Sequence, residues 1–294
     1  MSSVHKSLLQ KTLRYNSCMS SSALSPATDG ELLFQDYLDA MRYEYEFEKE
    51  FPGKKKRPDY TISLNGVSLF DVKDFEPNLP AFGFGAYDPY PRIRQKIDEG
   101  RQKFKEFKEY PCSLVLKNND NPLVNLESPR IMLGSMYGDA GFTVPVYVGG
   151  GPTPSELPDV SHAFLGRGKM IRSKRLQNTT ISALITLRFV AVGRRRIDRV
   201  WQEKKSNDAS FRNKRIAFAY DEVCEAAAER YPNFDAEEKR LAVIVWENGV
   251  ARIPLSRELF TGPYDERWGC EDGNQSIVFR GEKLSELADS NVPI

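Results

Sequence analysis

The chain has 294 residues, with 42 Lys and Arg against 41 Asp and Glu, a formal net charge of +1 and 40% hydrophobic residues. That is enough chain for one large domain or a core with a second lobe. No apolar stretch approaches the roughly eighteen residues of a membrane span, which argues against insertion in a bilayer. The two histidines, His5 and His162, are too few for a His-based metal cluster. Cys18, Cys112, Cys224 and Cys270 form no Cys-x-x-Cys pair, so neither a zinc site nor a disulfide framework is indicated and a reducing, cytoplasmic setting fits. Carboxylate and lysine chemistry is what remains.

Residues 1–28 read as a basic, Ser-rich tail, with Lys6, Lys11 and Arg14 and no acidic residue before Asp29. A helix opens near Asp29 and Gly30, its apolar face running through Phe34, Leu38 and Met41, and Thr28 with Glu31 has the form of a capping box. Three strand-like runs follow, Tyr43–Phe47, Asp59–Leu64 and Val67–Phe75. Asn65-Gly66 between the last two is a two-residue hairpin signal, because both positions of a type I′ turn need positive φ. Pro91 opens a second helix with Ile93, Ile97, Phe104 and Phe107 on its buried side, ending before Pro111, and Ser113–Leu116 is a buried strand.

The order over residues 29–118 is therefore α-β-β-β-α-β, an α/β class mixed sheet flanked by helices. Residues 119–294 read as an elaboration or second, basic α+β lobe. In it we expect a strand near Thr143–Val148, turn-rich sequence at Gly149-Gly150-Gly151-Pro152, a strand over Ile181–Val192 and a helix over Asp221–Arg230. A hairpin of Leu241–Trp246 and Val250–Ile253 would turn at Asn248-Gly249.

The chemistry concentrates at Pro58-Asp59 and Asp71-Val72-Lys73. Residues two apart on a strand share a face, so Asp71 and Lys73 aim together and Val72 points away. A two-residue turn at Asn65-Gly66 would pair Leu64 with Val67 and Asp59 with Val72, sending Asp59 to the wrong face. Convergence of the two carboxylates then requires one extra residue, expected as a bulge or broken pairing near Asp59 where Pro58 cannot donate to the ladder.

Pro-Asp, a hairpin and Asp-x-Lys on its second strand is similar to the PD-(D/E)XK motif of the restriction-endonuclease-like nucleases, and the element order resembles their core. The resemblance spans about residues 29–118. It implies a Mg²⁺-dependent nuclease, with Mn²⁺ able to substitute, in which Asp59 and Asp71 hold the metal and Lys73 orients or activates the attacking water. Glu31 matches by position a glutamate that the family often adds from its first helix, although the capping box accounts for it equally well. A hard cation beside an Asp pair and a lysine is also what phosphodiester hydrolysis asks of any fold.

Charge distribution adds a candidate nucleic-acid surface. From Leu165 to Arg215 there are 15 basic residues against 3 acidic, and from Ile216 to the C-terminus 8 against 16. The basic block either contacts phosphate backbone or docks on the acidic segment that follows it. Within it Arg172, Lys174, Arg175, Arg194, Arg195, Arg196 and Arg199 are the chosen backbone contacts. Lys54, Lys55, Lys56 and Arg57 would guide the strand toward Pro58, unless they form only a basic turn. Gln95 is the choice among Gln95, Lys96, Gln102 and Lys103 on the second helix. Gly166-Arg167-Gly168-Lys169 lacks the spacing of a phosphate loop, with Met170 where the hydroxyl should be.

The expectation is thus a cytoplasmic nuclease acting on DNA rather than RNA, possible as a homodimer that matches two sites to two strands. The competing expectation is a catalytically inactive module with the same core that binds nucleic acid or protein. A third is an assembly protein whose basic and acidic blocks bind each other.

Overall fold

A computed structural model describes residues 28–77, 88–143, 161–165, 167–172, 175–269 and 282–283. The tail to residue 27, Lys174, Gly149-Gly150-Gly151-Pro152 and most of the expected strand at Thr143–Val148 lie outside the described residues. The chain is α/β: an eight-stranded mixed sheet carries helices on both faces.

The first half follows the order read from the sequence. Helix α1 is Asp29–Ala40, and β1 (Tyr45–Phe47), β2 (Tyr60–Ser63) and β3 (Val67–Phe75) form an antiparallel meander. Helix α2 (Pro91–Phe104) then crosses over to β4 (Cys112–Asn118), parallel to β3. Alternation along β3 sends Phe70 and Val72 into a core with Phe34, Tyr37 and Leu38 of α1. Leu69 and Phe75 enter a second core with Ile93, Ile97 and Phe104 of α2. The two faces of the sheet are therefore assigned to different helices.

Beyond β4 come α3 (Pro129–Tyr137), the hairpin β5 (Asp139–Thr143) and β6 (Ser161–Leu165), and the short hairpin β7 (Ile171–Arg172) and β8 (Arg175–Leu176). Strand β9 (Ile181–Ala191) then lies parallel to β4. With β10 (Lys239–Glu247), β11 (Glu266–Gly269) and β12 (Glu282–Lys283), it continues the same sheet instead of founding a separate layer.

Helices α4 (Val192–Asn207) and α5 (Tyr220–Arg230) build a core of their own, around Ile197, Trp201, Phe211, Val223 and Tyr231. The expected hairpin at Asn248-Gly249 is absent. β10 pairs with β9 and β11, and Asn248 instead ties back to β9, its Nδ2 donating to the Ile181 carbonyl at 2.6 Å. Trp246 is fully buried with Trp268 stacked on it at 5.9 Å, and Trp201 belongs to the α4–α5 core, so the tryptophans pack.

A buried polar staple holds α1 to the far end of the sheet. The Tyr37 hydroxyl donates to Asp265 at 2.5 Å, and the same carboxylate accepts from the Val243 and Gly262 backbone N–H groups.

Candidate active site

The hairpin supplies the missing register residue in its turn. Ser63 pairs with Val67 and Tyr60 with Phe70, so the loop is three residues, Leu64, Asn65 and Gly66, with Asn65 and Gly66 at φ 51° and 127°. The turn chemistry expected of Asn-Gly holds, but the pairing is one residue out from a two-residue turn. Of the two alternatives expected near Asp59, a bulge or broken pairing, the second holds: the ladder is regular from Tyr60 to Ser63 and stops one residue short of Asp59. Its continuation sets Asp59 opposite Asp71, on the face away from Tyr60, Phe70 and Val72. Where the ladder ends, the Asp59 side chain takes the next donor, the Val72 N–H, at 2.7 Å.

Four further contacts fix the approach of Asp59. The Glu48 N–H donates to its carbonyl at 2.9 Å. Lys54 bonds the Glu106 carbonyl and pairs with Glu109 at 2.6 Å, and Lys56 donates to the Gln102 carbonyl at 2.8 Å. These carbonyls belong to the end of α2 and the turn after it, where ammonium groups satisfy orphan acceptors and oppose the helix dipole. Lys54 and Lys56 therefore clamp the segment before Pro58 to α2, while Arg57 pairs with Glu50 and Lys55 is exposed. The clamp accounts for Lys54 and Lys56, while Lys55 and Arg57 stay at the surface.

At the centre, Asp71 is fully buried. Lys73 stands 2.8 Å from its Oδ2, and Lys103 contacts its Oδ1 and also Asp59 Oδ1, bridging the two carboxylates. Both Asp71 oxygens lie beside ammonium groups without an aligned hydrogen bond. Burial and the Asp71 charge push the Asp59 carboxyl up to about 6 against the pull of Lys103. Burial also works against ionised Asp71, but Lys103 and Lys73 outweigh it and hold that carboxyl below its ordinary value. The Lys103 ammonium is desolvated, yet Asp71 and Asp59 raise it above the ordinary lysine value.

Lys103 reaches the pair because α2 sits close on β4. A Cβ at Gly100 would lie 2.3 Å from Leu114 Cδ2, so only a glycine allows this approach without displacing Leu114. Sequence reasoning named Lys103 only as one of four polar residues on this helix and preferred Gln95. The usable signal was its place at the edge of the Ile93, Ile97 and Phe104 stripe, one turn beyond Gly100. Gln95 is exposed and bonded to Glu99 at 3.1 Å.

Glu31 is not brought to this cluster. Its Oε2 accepts from the Thr28 N–H at 2.9 Å while Thr28 Oγ1 accepts from the Glu31 N–H at 3.2 Å, the complete capping box. Helix α1 packs on the face that carries Phe70 and Val72, the side of the sheet opposite Asp71. The cap explains this glutamate.

The basic block is largely committed to carboxylates. Arg196 pairs with Glu238 at 2.6 Å and lies over the Tyr231 ring, Arg194 pairs with Asp198 at 3.3 Å, and Arg199 approaches Glu203 at 4.0 Å. Arg195 comes within 3.9 Å of Glu266, which also pairs with Arg188. Arg195 and Arg196 thus reach carboxylates of the acidic segment, whereas Arg194 and Arg199 pair within α4 itself. Arg175 is exposed in β8, and Arg172 in β7 is its partner across that hairpin.

Among the described residues no three or more His, Cys, Asp or Glu side chains gather into a metal cage, and no helix is long and apolar enough to cross a membrane. An ion at this site would rest on two carboxylates and water, a donor set that suits Mg²⁺. The Lys103 charge already lies where such a cation would be balanced by both carboxylates. Compared with known proteins, the chain matches no family model, no curated protein and no solved structure.

Proposed function

We propose that the chain is a Mg²⁺-dependent nuclease that hydrolyses phosphodiester bonds of DNA, with its active site at Asp59, Asp71 and Lys73 in a restriction-endonuclease-like core. The observation that carries this reading is the convergence of two carboxylates, one on β3 and one just before β2, with two lysines, one carboxylate fully buried and without an aligned hydrogen bond. Asp59 and Asp71 would hold the metal. When bound, it would supply positive charge to the phosphate and a water of lowered pKa.

The remaining work falls to the chain. Asp71, kept ionised by its two ammonium neighbours, presents a fixed negative charge that needs no reorganisation. Lys73 stays partly exposed beside it, at 23% side-chain accessibility, so its remaining N–H donors can hold a water and a phosphate oxygen from the open side. Val72 anchors Asp59 through its backbone N–H and leaves the other carboxylate oxygen on Lys103. Exchange of Lys103 for a divalent cation would turn the resting ion cluster into the working one.

A second reading has its own observation. Two carboxylates and two ammonium groups form a self-neutralised cluster, which suits a structural ion network in a catalytically inactive binding module. Binding of Mn²⁺ followed by electron paramagnetic resonance separates the two. The nuclease reading expects saturable Mn²⁺ binding that Mg²⁺ displaces and Asp71→Asn abolishes; absence of binding in the folded wild type favours the structural network.

A further inference from the structure

Helix α2 has a second functional side. Arg94, Gln95, Asp98 and Arg101 border an open cavity of about 670 Å³ whose opposite wall is Arg167, Gly168 and Lys169, the latter part of the glycine- and lysine-bearing segment that fails as a nucleotide-phosphate loop. The wall is rigid. A Cβ at Gly168 would lie 2.2 Å from the Tyr137 carbonyl carbon, the Met170 N–H donates to the Met136 carbonyl at 2.7 Å, and Asn178 Nδ2 caps the Lys169 carbonyl at 2.7 Å. Arg167 is therefore presented from a fixed backbone pinned to the end of α3.

The charge around the cavity is unbalanced. Arg94, Arg101, Arg167 and Lys169 face only Asp88 and Asp98. Lys169 pairs with Asp98. Arg94, only 7% exposed, bonds the Gly134 carbonyl at 3.0 Å and Asp139 at 2.6 Å and stacks on Tyr90, yet its buried Nε has no partner. Arg101 and Arg167 are exposed and have no carboxylate partner among the described residues. Two guanidinium groups at one cavity, neither with a carboxylate partner among the described residues, suit phosphate oxygens, which such groups bind through paired N–H donors.

The cavity lies along the same helix that brings Lys103 to the proposed active site. Gln95 borders it and also a second cavity formed with Asp74, Phe75, Glu76 and Lys96, next to Lys73 on β3. From Gln95 to Lys103 the rise along α2 is about 12 Å. A strand with one phosphate at the carboxylates that crosses α2 at Gln95 would place a phosphate several nucleotides further along between Arg101 and Arg167.

We infer that this cavity binds the phosphate backbone of the nucleic-acid strand flanking the cleaved bond, through Arg101 and Arg167. The inference rests on nucleic acid being the substrate, and its test separates from the test of catalysis. Fluorescence anisotropy with labelled single-stranded and duplex oligonucleotides in EDTA compares wild type, Arg101→Gln/Arg167→Gln and a control that removes charge elsewhere, Lys239→Gln. The double variant should bind about 10-fold more weakly at low salt, and its log affinity against log salt should flatten by about 1.5, since each lost phosphate contact removes roughly 0.7–0.9. Unchanged affinity and slope, an equal loss in Lys239→Gln, or no binding by wild type overturns the assignment. Loss of cleavage in Asp71→Asn with binding intact leaves it standing, and an Arg-dependent binding loss in a protein that cuts nothing supports the cavity while the nuclease reading falls.

Discussion

Lys103→Met removes the ammonium that bridges Asp59 and Asp71 and keeps most of the side-chain volume. Asp71 retains Lys73, whereas Asp59 keeps only the Val72 N–H. Breaking a buried ion pair from one side costs about 3–5 kcal/mol. Protonation of Asp59, whose carboxyl already stands at about 6, limits the loss to roughly 2–4 kcal/mol at pH 8. At roughly 2–3 °C per kcal/mol for a chain of this size, Tm should fall by about 5–10 °C.

The sign with pH is fixed by the direction of the Asp59 shift. A carboxyl raised on folding contributes stability that is fully present below its unfolded value near 4 and is lost as pH rises through about 6. Without Lys103 that carboxyl rises further, so the folded variant takes up a proton where wild type does not. Its deficit should be smaller at pH 5, where the loss of the Asp71 contact remains, than at pH 8. Urea unfolding at both pH values reads this, and 10 mM Mg²⁺ should recover stability at pH 8 by replacing the missing positive charge. A deficit equal at pH 5 and pH 8, or none at either, would refute the bridged-carboxylate account.

Three other outcomes follow from the same geometry. Glu31→Gln should cost no more than about 1 kcal/mol, the scale of a helix cap, and leave Mn²⁺ affinity unchanged; a lost metal signal in that variant would return Glu31 to the site. Arg196→Ala should destabilise the chain by about 2–3 kcal/mol, by removing the mostly buried pair with Glu238 and the contact with Tyr231, while the salt dependence of oligonucleotide binding stays as in wild type. Gly168→Ala should cost about 1–3 kcal/mol because the new methyl meets backbone and not a movable side chain, as thermal unfolding would show.

What the sequence revealed and what it hid have physical reasons. Helix, three strands, helix and strand were legible because Phe34 and Leu38, the alternation in Val67–Phe75 and the Ile93, Ile97, Phe104 stripe each repeat at the period of their element. The meeting of Asp59 and Asp71 was legible only as a requirement: pairing register depends on whether Asn65-Gly66 closes a two- or three-residue loop, and Ser63 pairing with Val67 is a tertiary outcome. Helix α4 was obscured by Arg194-Arg195-Arg196, whose charge reads as surface, yet Ile197, Val200 and Trp201 pack beneath it. Lys103 was hidden because the desolvation of an ammonium depends on how closely α2 rests on β4, a distance set by Gly100 and Leu114. Glu31 fitted two roles by position, and only the side on which α1 packs distinguishes them.

The most direct test of the central claim is cleavage of supercoiled plasmid, linear duplex and single-stranded DNA in Mg²⁺, Mn²⁺ and EDTA by wild type, Asp71→Asn and Lys73→Met. Metal-dependent cutting by wild type that falls at least about 100-fold in both variants, with folding intact by circular dichroism, is the expected result. No cutting of any substrate by folded wild type, or cutting that survives both substitutions, would contradict an active site at Asp59, Asp71 and Lys73.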